Sequence, residues 1–345
     1  MPGPGDNAVV PLNSLFGVPT PDPFVTYHQT TCLYYAVNLA VDKRSGKYAA
    51  ISVRSSRALA GLKTAKGRTV WQAPPDSLEG NGIWAPEMSF LDGNWYVYFA
   101  IAPIDQPEAR RMHVLKGHGE DAGAATFEYV GQLRSASDKW AIDGTVLTIP
   151  ATSSGAALDR YFIWSGWPGD HDGEQRLYIE RMESPVKLKG ARVEISRPDQ
   201  PWERIDCGAD DNGRVRPALN EGPTAMVDED RGLIHLFYSA NGSWGEHCCV
   251  GRLTAALDSN LMDRRSWNKS DGPVLASDPS RGIFGPGHPH AYVDHVGGRK
   301  LAFHAAVRNG QDYWGVQGDI RFAFETGIEL TDGHPVVELP YALYP

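Results

Sequence analysis

The chain has 345 residues, of which 41% are hydrophobic and 22% are charged, and its formal net charge is −9. That length and apolar content can bury the core of one large domain or of two ordinary ones. A negative balance without blocks of like charge argues against nucleic acid and anionic membrane surfaces as partners, because their phosphates attract clustered Lys and Arg.

The first residues, MPGPGDNAVVPLNSLFG, lack a basic segment followed by an apolar one, so they predict no secretory leader. The longest apolar run, WYVYFAIAP, is too short to cross a bilayer. We therefore expect an intracellular protein, or a secreted one whose leader has been removed. The sequence predicts no oligomeric state. The cysteines lack the spacing of a zinc site and are expected to be free thiols, at Cys32, Cys207, Cys248 and Cys249.

An aromatic run that ends in a small residue recurs five times along the chain. Each copy follows a shorter apolar segment and a turn, such as Asp92-Gly93, and so predicts the second arm of a β-hairpin. Third strands follow in RMHVLKG and RLYIERM, and no convincing helical period exceeds two turns. The five copies are LYYAV (33–37), WYVYFA (95–100), YFIWSG (161–166), IHLFYSA (234–240) and LAFHAA (301–306).

A unit of roughly 60–75 residues with three or four strands, used five times, predicts an all-β, five-bladed β-propeller. We expect a single domain over residues 1–345, with a central channel and an active-site cleft on one face. A β-sandwich, or a pair of smaller β-domains, is the alternative. The predicted blades cover roughly residues 20–78, 79–136, 137–205, 215–280 and 284–340.

A conspicuous residue precedes each aromatic run at a similar place in the unit. The innermost strands of a propeller line its channel, so residues that open those strands should meet at one rim. Taken singly, the acids among them could serve turns, because Asp-Pro and Asp-Gly pairs are common there. Their shared phase favours a common site instead. The five residues are Asp22, Trp84, Asp143, Glu221 and His288.

Three grouped carboxylates suit acid–base chemistry, because proximity and burial push their pKa values apart. Breaking a glycosidic bond requires one protonated and one ionised carboxyl group. An aromatic ring offers a wall on which the C–H face of a sugar can pack. The set therefore predicts a site for glycoside hydrolysis.

The motifs PDPFV, IWAPE, AIDGTVL, LNEGPT and FGPGH, in this order and spacing, resemble glycoside hydrolase family 43, and specifically its α-L-arabinofuranosidase-type members. The resemblance runs from Asp22 to the C-terminus and includes RMHVL, FIWSGW, ISRPDQPWE and FYSANGSW. It implies a five-bladed propeller and inversion of anomeric configuration. The chain departs from the family pattern in YHQTTC, at Cys248 and at His290, which leaves the shape of the subsites open.

By motif, the resemblance implies that Asp22 is the general base that activates water. It implies that Glu221 is the general acid that protonates the leaving oxygen, and that Asp143 orients Glu221 and tunes its pKa. Trp84 would border the subsite for the terminal sugar. Glu87, although it is the conspicuous acid of IWAPE, lies within the following strand and is predicted to be structural.

The resemblance also places His288 near the propeller axis, where family members sometimes bind calcium or another ion. Arg321, in DIRFAFE, matches an arginine of the last blade that points to the site. Trp167 is a candidate for sugar contact, with a core role as the alternative. No cofactor is expected for the reaction itself. The loops at 103–110 and 167–175 are expected to set linkage preference.

Together these features predict an inverting exo-glycosidase that removes terminal α-L-arabinofuranosyl units from arabinan- or arabinoxylan-type oligosaccharides. Within the enzyme class, the alternative is a β-xylosidase of the same fold. Outside that class, it is a non-catalytic carbohydrate-binding propeller.

Overall fold

The computed structural model of the chain describes residues 11–41, 48–74, 82–151, 158–171, 173–205, 208–210, 213–308, 320–331 and 334–342. These residues form five four-stranded antiparallel sheets and a few single-turn 3₁₀ helices. The prediction of an all-β fold is therefore confirmed. None of the helices in the described residues has the length and apolar character of a membrane span.

Within each sheet the strands are adjacent in chain order, so every blade is a four-stranded meander. The first blade contains β1 (Phe24–His28), β2 (Leu33–Val41), β3 (Tyr48–Ser56) and β4 (Arg68–Gln72). The second contains β5 (Trp84–Leu91), β6 (Asn94–Ile101), β7 (Arg111–His118) and β8 (Thr126–Gln132). The third contains β9 (Ala141–Pro150), β10 (Leu158–Gly166), β11 (Arg176–Ser184) and β12 (Lys187–Ser196).

The fourth blade contains β13 (Asn220–Asp228), β14 (Leu233–Ala240), β15 (Cys249–Ala256) and β16 (Asn268–Lys269). The fifth contains β17 (Phe284–Val293), β18 (Arg299–Ala306), β19 (Arg321–Thr331) and β20 (His334–Val337). The 3₁₀ helices are Leu59–Lys63, Pro107–Ala109, Pro201–Glu203, Glu229–Arg231, Arg264–Ser266 and Pro279–Arg281.

Every recurring aromatic run lies in the second strand of its blade, as the hairpin pattern predicts. Between β5 and β6, Leu91 pairs with Asn94 across a two-residue turn. Both turn residues have positive φ, 51° at Asp92 and 77° at Gly93, as the tight turns of β-hairpins require. The aromatic runs are buried because the second strand has a neighbouring strand on each side and a neighbouring blade on each face.

The hydrophobic core is divided among the seams between blades rather than gathered in one centre. Five clusters of buried side chains each draw on two neighbouring blades: first and second, second and third, third and fourth, fourth and fifth, and fifth and first. The last of these closes the ring, because Tyr34 and Ala36 of β2 pack with Ala302 of β18 and Ala323 of β19. This closure confirms the five-bladed propeller and removes the sheet edges that an open arrangement would expose.

The first strand of each blade lies nearest the axis, where β1, β5, β9, β13 and β17 contact their neighbours. The segment before β1 joins the ring to the last blade through backbone hydrogen bonds, from Leu15 N to the Ala323 oxygen (2.8 Å) and from Thr20 N to the Arg321 oxygen (2.9 Å). Each sheet falls within one predicted blade interval, while the assignment of the whole chain to one domain stays a prediction.

Candidate active site

The same backbone distortion, a residue with positive φ, occurs near the start of the innermost strand of all five blades. A residue with a φ between 37° and 55° stands at the start of each first strand and is followed by Pro or Gly. In β5, β13 and β17 the strand pairing shifts at this point, so the distortion is a bulge that re-aims the neighbouring side chains. The five residues are Asp22, Ala85, Asp143, Gly222 and His288.

This backbone alignment corrects which residue of the second and fourth blades is equivalent to Asp22. Trp84 and Glu221 were aligned with Asp22 by their side chains, but the backbone aligns the next residues, Ala85 and Gly222. The sequence feature that predicts the correct alignment is a residue directly before Pro, which occurs at Asp22, Ala85, Gly222 and His288.

Asp22 lies among three basic side chains. Its Oδ1 is 3.3 Å from His288 Nδ1, 3.3 Å from His304 Nδ1 and 4.0 Å from an Arg321 guanidinium nitrogen. Burial alone would raise the pKa of Asp22, but His288, His304 and Arg321 hold that pKa well below its usual range. Asp22 is therefore ionised at any pH where the protein is expected to work.

His304, in the fifth aromatic run, fixes the backbone of Asp22. The Asp22 N–H donates to His304 Nδ1 over 3.2 Å. Burial, together with the charge of Arg321, lowers the pKa of His304 to about 4, so the imidazole is neutral and its Nδ1 can accept. The sequence analysis did not assign His304 to the site. Its one signal was a polar residue inside an otherwise apolar run.

Asp143 and Glu221 meet across the seam between the third and fourth blades. The Gly222 N–H donates to Asp143 Oδ2 over 3.0 Å, and Asp143 is 4% exposed. Burial raises the pKa of Asp143, and the nearby carboxyl groups of Glu221 and Asp22 add to this increase. Gly222 is required here, because its φ is 55° and a Cβ would lie 3.0 Å from His288 Nδ1.

Glu221, like Asp143, holds its proton near neutral pH. Burial and the negative charge of Asp22 together raise its pKa to about 7, against the opposing charge of Arg321. The structure therefore brings together all three predicted carboxylates and separates their proton affinities. One ionised and one protonated carboxyl group are the combination that glycoside hydrolysis requires.

His288 and Arg321 also lie at this cluster, with 7% and 5% of their surface exposed. His288 is anchored through its N–H, which donates to Ser239 Oγ over 2.6 Å. Arg321 opens β19 and faces Asp22. Both positions agree with the resemblance, while their contact with a substrate stays a prediction.

The two predicted sugar-binding tryptophans occupy different surroundings. Trp84 is partly exposed, and the guanidinium carbon of Arg110 lies 3.6 Å from its ring centroid. A sugar at Trp84 would therefore use the ring face or edge that Arg110 leaves free. Trp167 is only 5% exposed and stacks on Trp140 with 4.7 Å between ring centroids and 5° between planes. That packing belongs to the core of the second seam.

The residues around His288 do not form a metal-binding set. No group of three or more His, Cys, Asp or Glu side chains among the described residues is arranged to hold a metal ion. Asp22 and His304 beside His288 already contact each other and Arg321. An axial ion therefore stays a prediction.

Glu87 lies away from this cluster, further along the axis. It is 6% exposed, and its Oε1 is 3.7 Å from Nδ1 of His290. Both side chains line an open cavity of about 370 Å³, which is lined mainly by the later residues of the first strands. This position agrees with the prediction that Glu87 is buried at the inner edge of its blade and separate from the acids of the rim.

Comparison with known proteins gives a consistent result. The family model described as "Glycosyl hydrolases family 43" matches residues 12–323. An "Extracellular exo-alpha-(1->5)-L-arabinofuranosidase" of Streptomyces chartreusis is 33% identical over 77% of this chain and 74% of its own length. "Alpha-L-arabinofuranosidase 43" of Humicola insolens is 30% identical over 84% of this chain, which spans 55% of that relative.

A solved structure supports the same relationship. The crystal structure of an α-L-arabinofuranosidase from Lactobacillus brevis superimposes with a TM-score of 0.78 at 26% identity and covers 98% of both chains. The structure of a thermostable family-43 glycoside hydrolase, at 19% identity and a TM-score of 0.72, shows the shared fold.

Proposed function

The chain belongs to glycosyl hydrolase family 43, and from that premise we propose that it removes terminal α-L-arabinofuranosyl units from arabinan- or arabinoxylan-type oligosaccharides. The observation that carries the proposal is the opposite pKa shift of Asp22 and Glu221 within one partly buried cluster. The arabinofuranosyl specificity is supported by the relatives at 30% identity or more, which are arabinofuranosidases.

The reaction is a single displacement with inversion, the outcome common to this family. Asp22 accepts a proton from water while the water oxygen bonds to the anomeric carbon. Glu221 donates its proton to the glycosidic oxygen while the bond from that oxygen to the anomeric carbon breaks. The products are a free arabinose of inverted configuration and a leaving group with a restored hydroxyl. Proton exchange with solvent then returns both carboxyl groups to their starting states.

The neighbouring side chains prepare these two transfers. Asp143 accepts a hydrogen bond from the Gly222 N–H and so holds the backbone next to Glu221, while the negative charge of Asp22 helps Glu221 to keep its proton. His288 and Arg321 keep Asp22 ionised, and His304 orients it by accepting a hydrogen bond from its backbone N–H. We assign Trp84 to the wall of the terminal-sugar subsite, with His288 and Arg321 as polar contacts. Trp167 supports that wall from the core through Trp140.

The direct test is hydrolysis of p-nitrophenyl α-L-arabinofuranoside and p-nitrophenyl β-D-xyloside, compared in wild type, Asp22→Ala and Glu221→Ala. We expect turnover of the arabinofuranoside, with loss of activity in both variants. Proton NMR should detect the inverted β-anomer as the first product. Faster xyloside turnover would establish the β-xylosidase alternative. Tight sugar binding by calorimetry, with no turnover of any glycan, would establish the carbohydrate-binding alternative.

We propose that the reaction needs no bound cofactor, because a protein side chain is available for each proton transfer. Dialysis against EDTA should leave kcat unchanged, and an ion near His288 would then contribute only to thermal stability. Loss of kcat that added calcium restores would contradict this.

The expected site of action is outside the cell. The relative from Streptomyces chartreusis is described as extracellular, and polymeric arabinan is too large to enter a cell. Fractionation of a producing culture should place the activity in the medium.

A further inference from the structure

The stretch RPDQPWE contains a carboxylate that the reaction does not use. Glu203 ends the 3₁₀ helix Pro201–Glu203 and is completely buried. Its two oxygens accept hydrogen bonds of 2.8–3.0 Å from five donors: the N–H groups of Asp199 and Gln200, Asn220 Nδ2, Tyr238 Oη and Lys269 Nζ. An ionised carboxylate satisfies five donors, whereas an amide nitrogen can accept none.

Asn220, one of these partners, directly precedes Glu221 and is also completely buried. It opens β13 of the fourth blade, yet it is bonded to the third blade on several sides. Its N–H donates to the Gln175 oxygen (3.0 Å), and its own carbonyl accepts from Ser165 Oγ (2.9 Å). Its Oδ1 accepts from Ser196 Oγ (2.7 Å).

These contacts matter because the ordinary strand pairing is interrupted directly after Glu221, which is itself paired with Ser239. The register between β13 and β14 shifts between Glu221 and Thr224. On the other side of Glu221, the Gly222 N–H donates to Asp143 of the third blade. Glu221 is therefore held between two cross-blade anchors, Asn220 and Gly222, at the last regular pair before the ladder of its own sheet is interrupted.

We propose that Glu203 is a positioning residue for the general acid. Through Asn220 it fixes the start of β13, and with it the carboxyl group of Glu221, relative to the oxygen that leaves. The inference rests on the proposed role of Glu221. Lys269 compensates the buried charge of Glu203, which allows an ionised carboxylate to collect all five donors.

The test uses leaving groups that depend differently on the acid. An alcohol leaving group, such as the next sugar of an arabino-oligosaccharide, requires protonation. Dinitrophenolate departs without it. Glu203→Gln keeps the side-chain shape but places an amide nitrogen among donors. A displacement of the acid by about 1 Å can cost ~10²-fold in rate. We therefore expect kcat for the oligosaccharide to fall by up to ~10²-fold and kcat for the dinitrophenyl arabinofuranoside to change less than about threefold.

The pH profile is the second readout. If the carboxyl group of Glu221 becomes more exposed to water in Glu203→Gln, its pKa should fall. The decline of kcat/KM at alkaline pH should then begin at a lower pH. Asn220→Ala breaks the same contact from its other side and serves if Glu203→Gln does not fold. The matched control is Glu194→Gln, which removes a carboxylate of the same blade that pairs with Arg176, Arg197 and Arg264. It should alter neither the leaving-group preference nor the basic limb.

The outcomes distinguish failure of the acid role of Glu221 from failure of the positioning role of Glu203. If Glu221→Gln itself shows no leaving-group dependence, the acid role fails. If Glu221→Gln shows that dependence and both Glu203→Gln and Asn220→Ala slow the two substrates equally, Glu203 is merely structural and the inference is wrong.

Discussion

Glu221 and Glu203 are two carboxylates connected through a single residue, and their surroundings differ in one decisive respect. Glu203 receives five hydrogen-bond donors, one of them the cation of Lys269. Glu221 instead faces another carboxylate, Asp22, and its pKa rises to about 7. The comparison teaches that burial alone does not set the use of an acid. The donors and charges that accompany the burial decide between a fixed anion and a proton donor.

Replacing the base should give the largest effect on activity. Asp22→Asn removes water activation while preserving shape, and we expect kcat to fall by ~10²–10⁴-fold, as for loss of a general acid–base group. The loss should be similar for dinitrophenyl and oligosaccharide substrates, unlike that of Glu221→Gln. Steady-state kinetics on both substrates provides the measurement. A selective loss on the oligosaccharide would assign Asp22 to the acid instead.

Replacing the fixed anion should have the largest effect on stability. Glu203→Leu leaves Lys269 with only the more exposed carboxylate of Asp199 and leaves the other buried donors without their acceptor, and removal of one partner from a buried pair costs ~3–5 kcal/mol of unfolding free energy. Glu194→Leu, which breaks pairs with partly exposed arginines, should cost only ~0–1 kcal/mol per pair. Urea denaturation of the two variants measures the difference. Equal losses would remove the distinction between the buried network and the surface one.

Glu221 should also set the alkaline limit of the enzyme. Its proton is lost as pH rises through about 7, so kcat/KM should decline above that pH and approach a tenfold fall per unit. Asp22, whose pKa is lowered, should cause no loss in the mildly acidic range. A rate that stays level up to pH 9 would show that Glu221 is not the titrating acid.

The same shift has a consequence for stability with a definite sign. The pKa of Glu221 is raised from its ordinary 4.5, so the folded state holds a proton that the unfolded chain releases. The free energy of unfolding should therefore fall as pH rises from about 4.5 to about 7. Glu221→Gln should make this part of the curve flatter. The group with a lowered pKa, Asp22, contributes stability that is lost only as pH falls below its ordinary value.

His304 should give a smaller effect that depends on one nitrogen. His304→Leu removes the acceptor for the Asp22 N–H. Loss of one hydrogen bond of this kind, worth about 1 kcal/mol, predicts roughly a fivefold fall in kcat with little change in KM. His304→Asn, which can place an oxygen near the former Nδ1, should recover most of the rate. Equal activity in the two variants would leave the hydrogen bond without a role.

Glu87 should give the smallest effect. It lines the axial cavity with His290 and lies away from the rim. Glu87→Gln should keep kcat/KM within about twofold of wild type, because surroundings without a transition-state contact add little to rate. A loss comparable to that of Glu221→Gln in a folded variant would move the acid to the second blade.

The sequence was informative where the determinants are local. Alternating aromatic residues and an Asp-Gly turn define a hairpin within about twenty residues, and the second strands were predicted correctly for that reason. The alignment of the blades was wrong by one residue at Trp84 and Glu221. It matched conspicuous side chains, whereas the backbone distortion occurs at the residue before Pro. His304 was missed because its partner, Asp22, lies 282 positions away in sequence. Glu203 was missed for a different reason: Asn220 is only 17 positions away, but their contact crosses the seam between two blades, and no sequence pattern shows that contact.

The most direct test of the account is a carboxyl titration by NMR in protein labelled with ¹³C at glutamate Cδ. The account predicts one glutamate that titrates near pH 7 in wild type and is absent from Glu221→Gln. In Glu203→Gln that resonance should persist with a lower midpoint. A resonance near pH 7 that survives in Glu221→Gln would contradict the assignment of Glu221 as the proton donor.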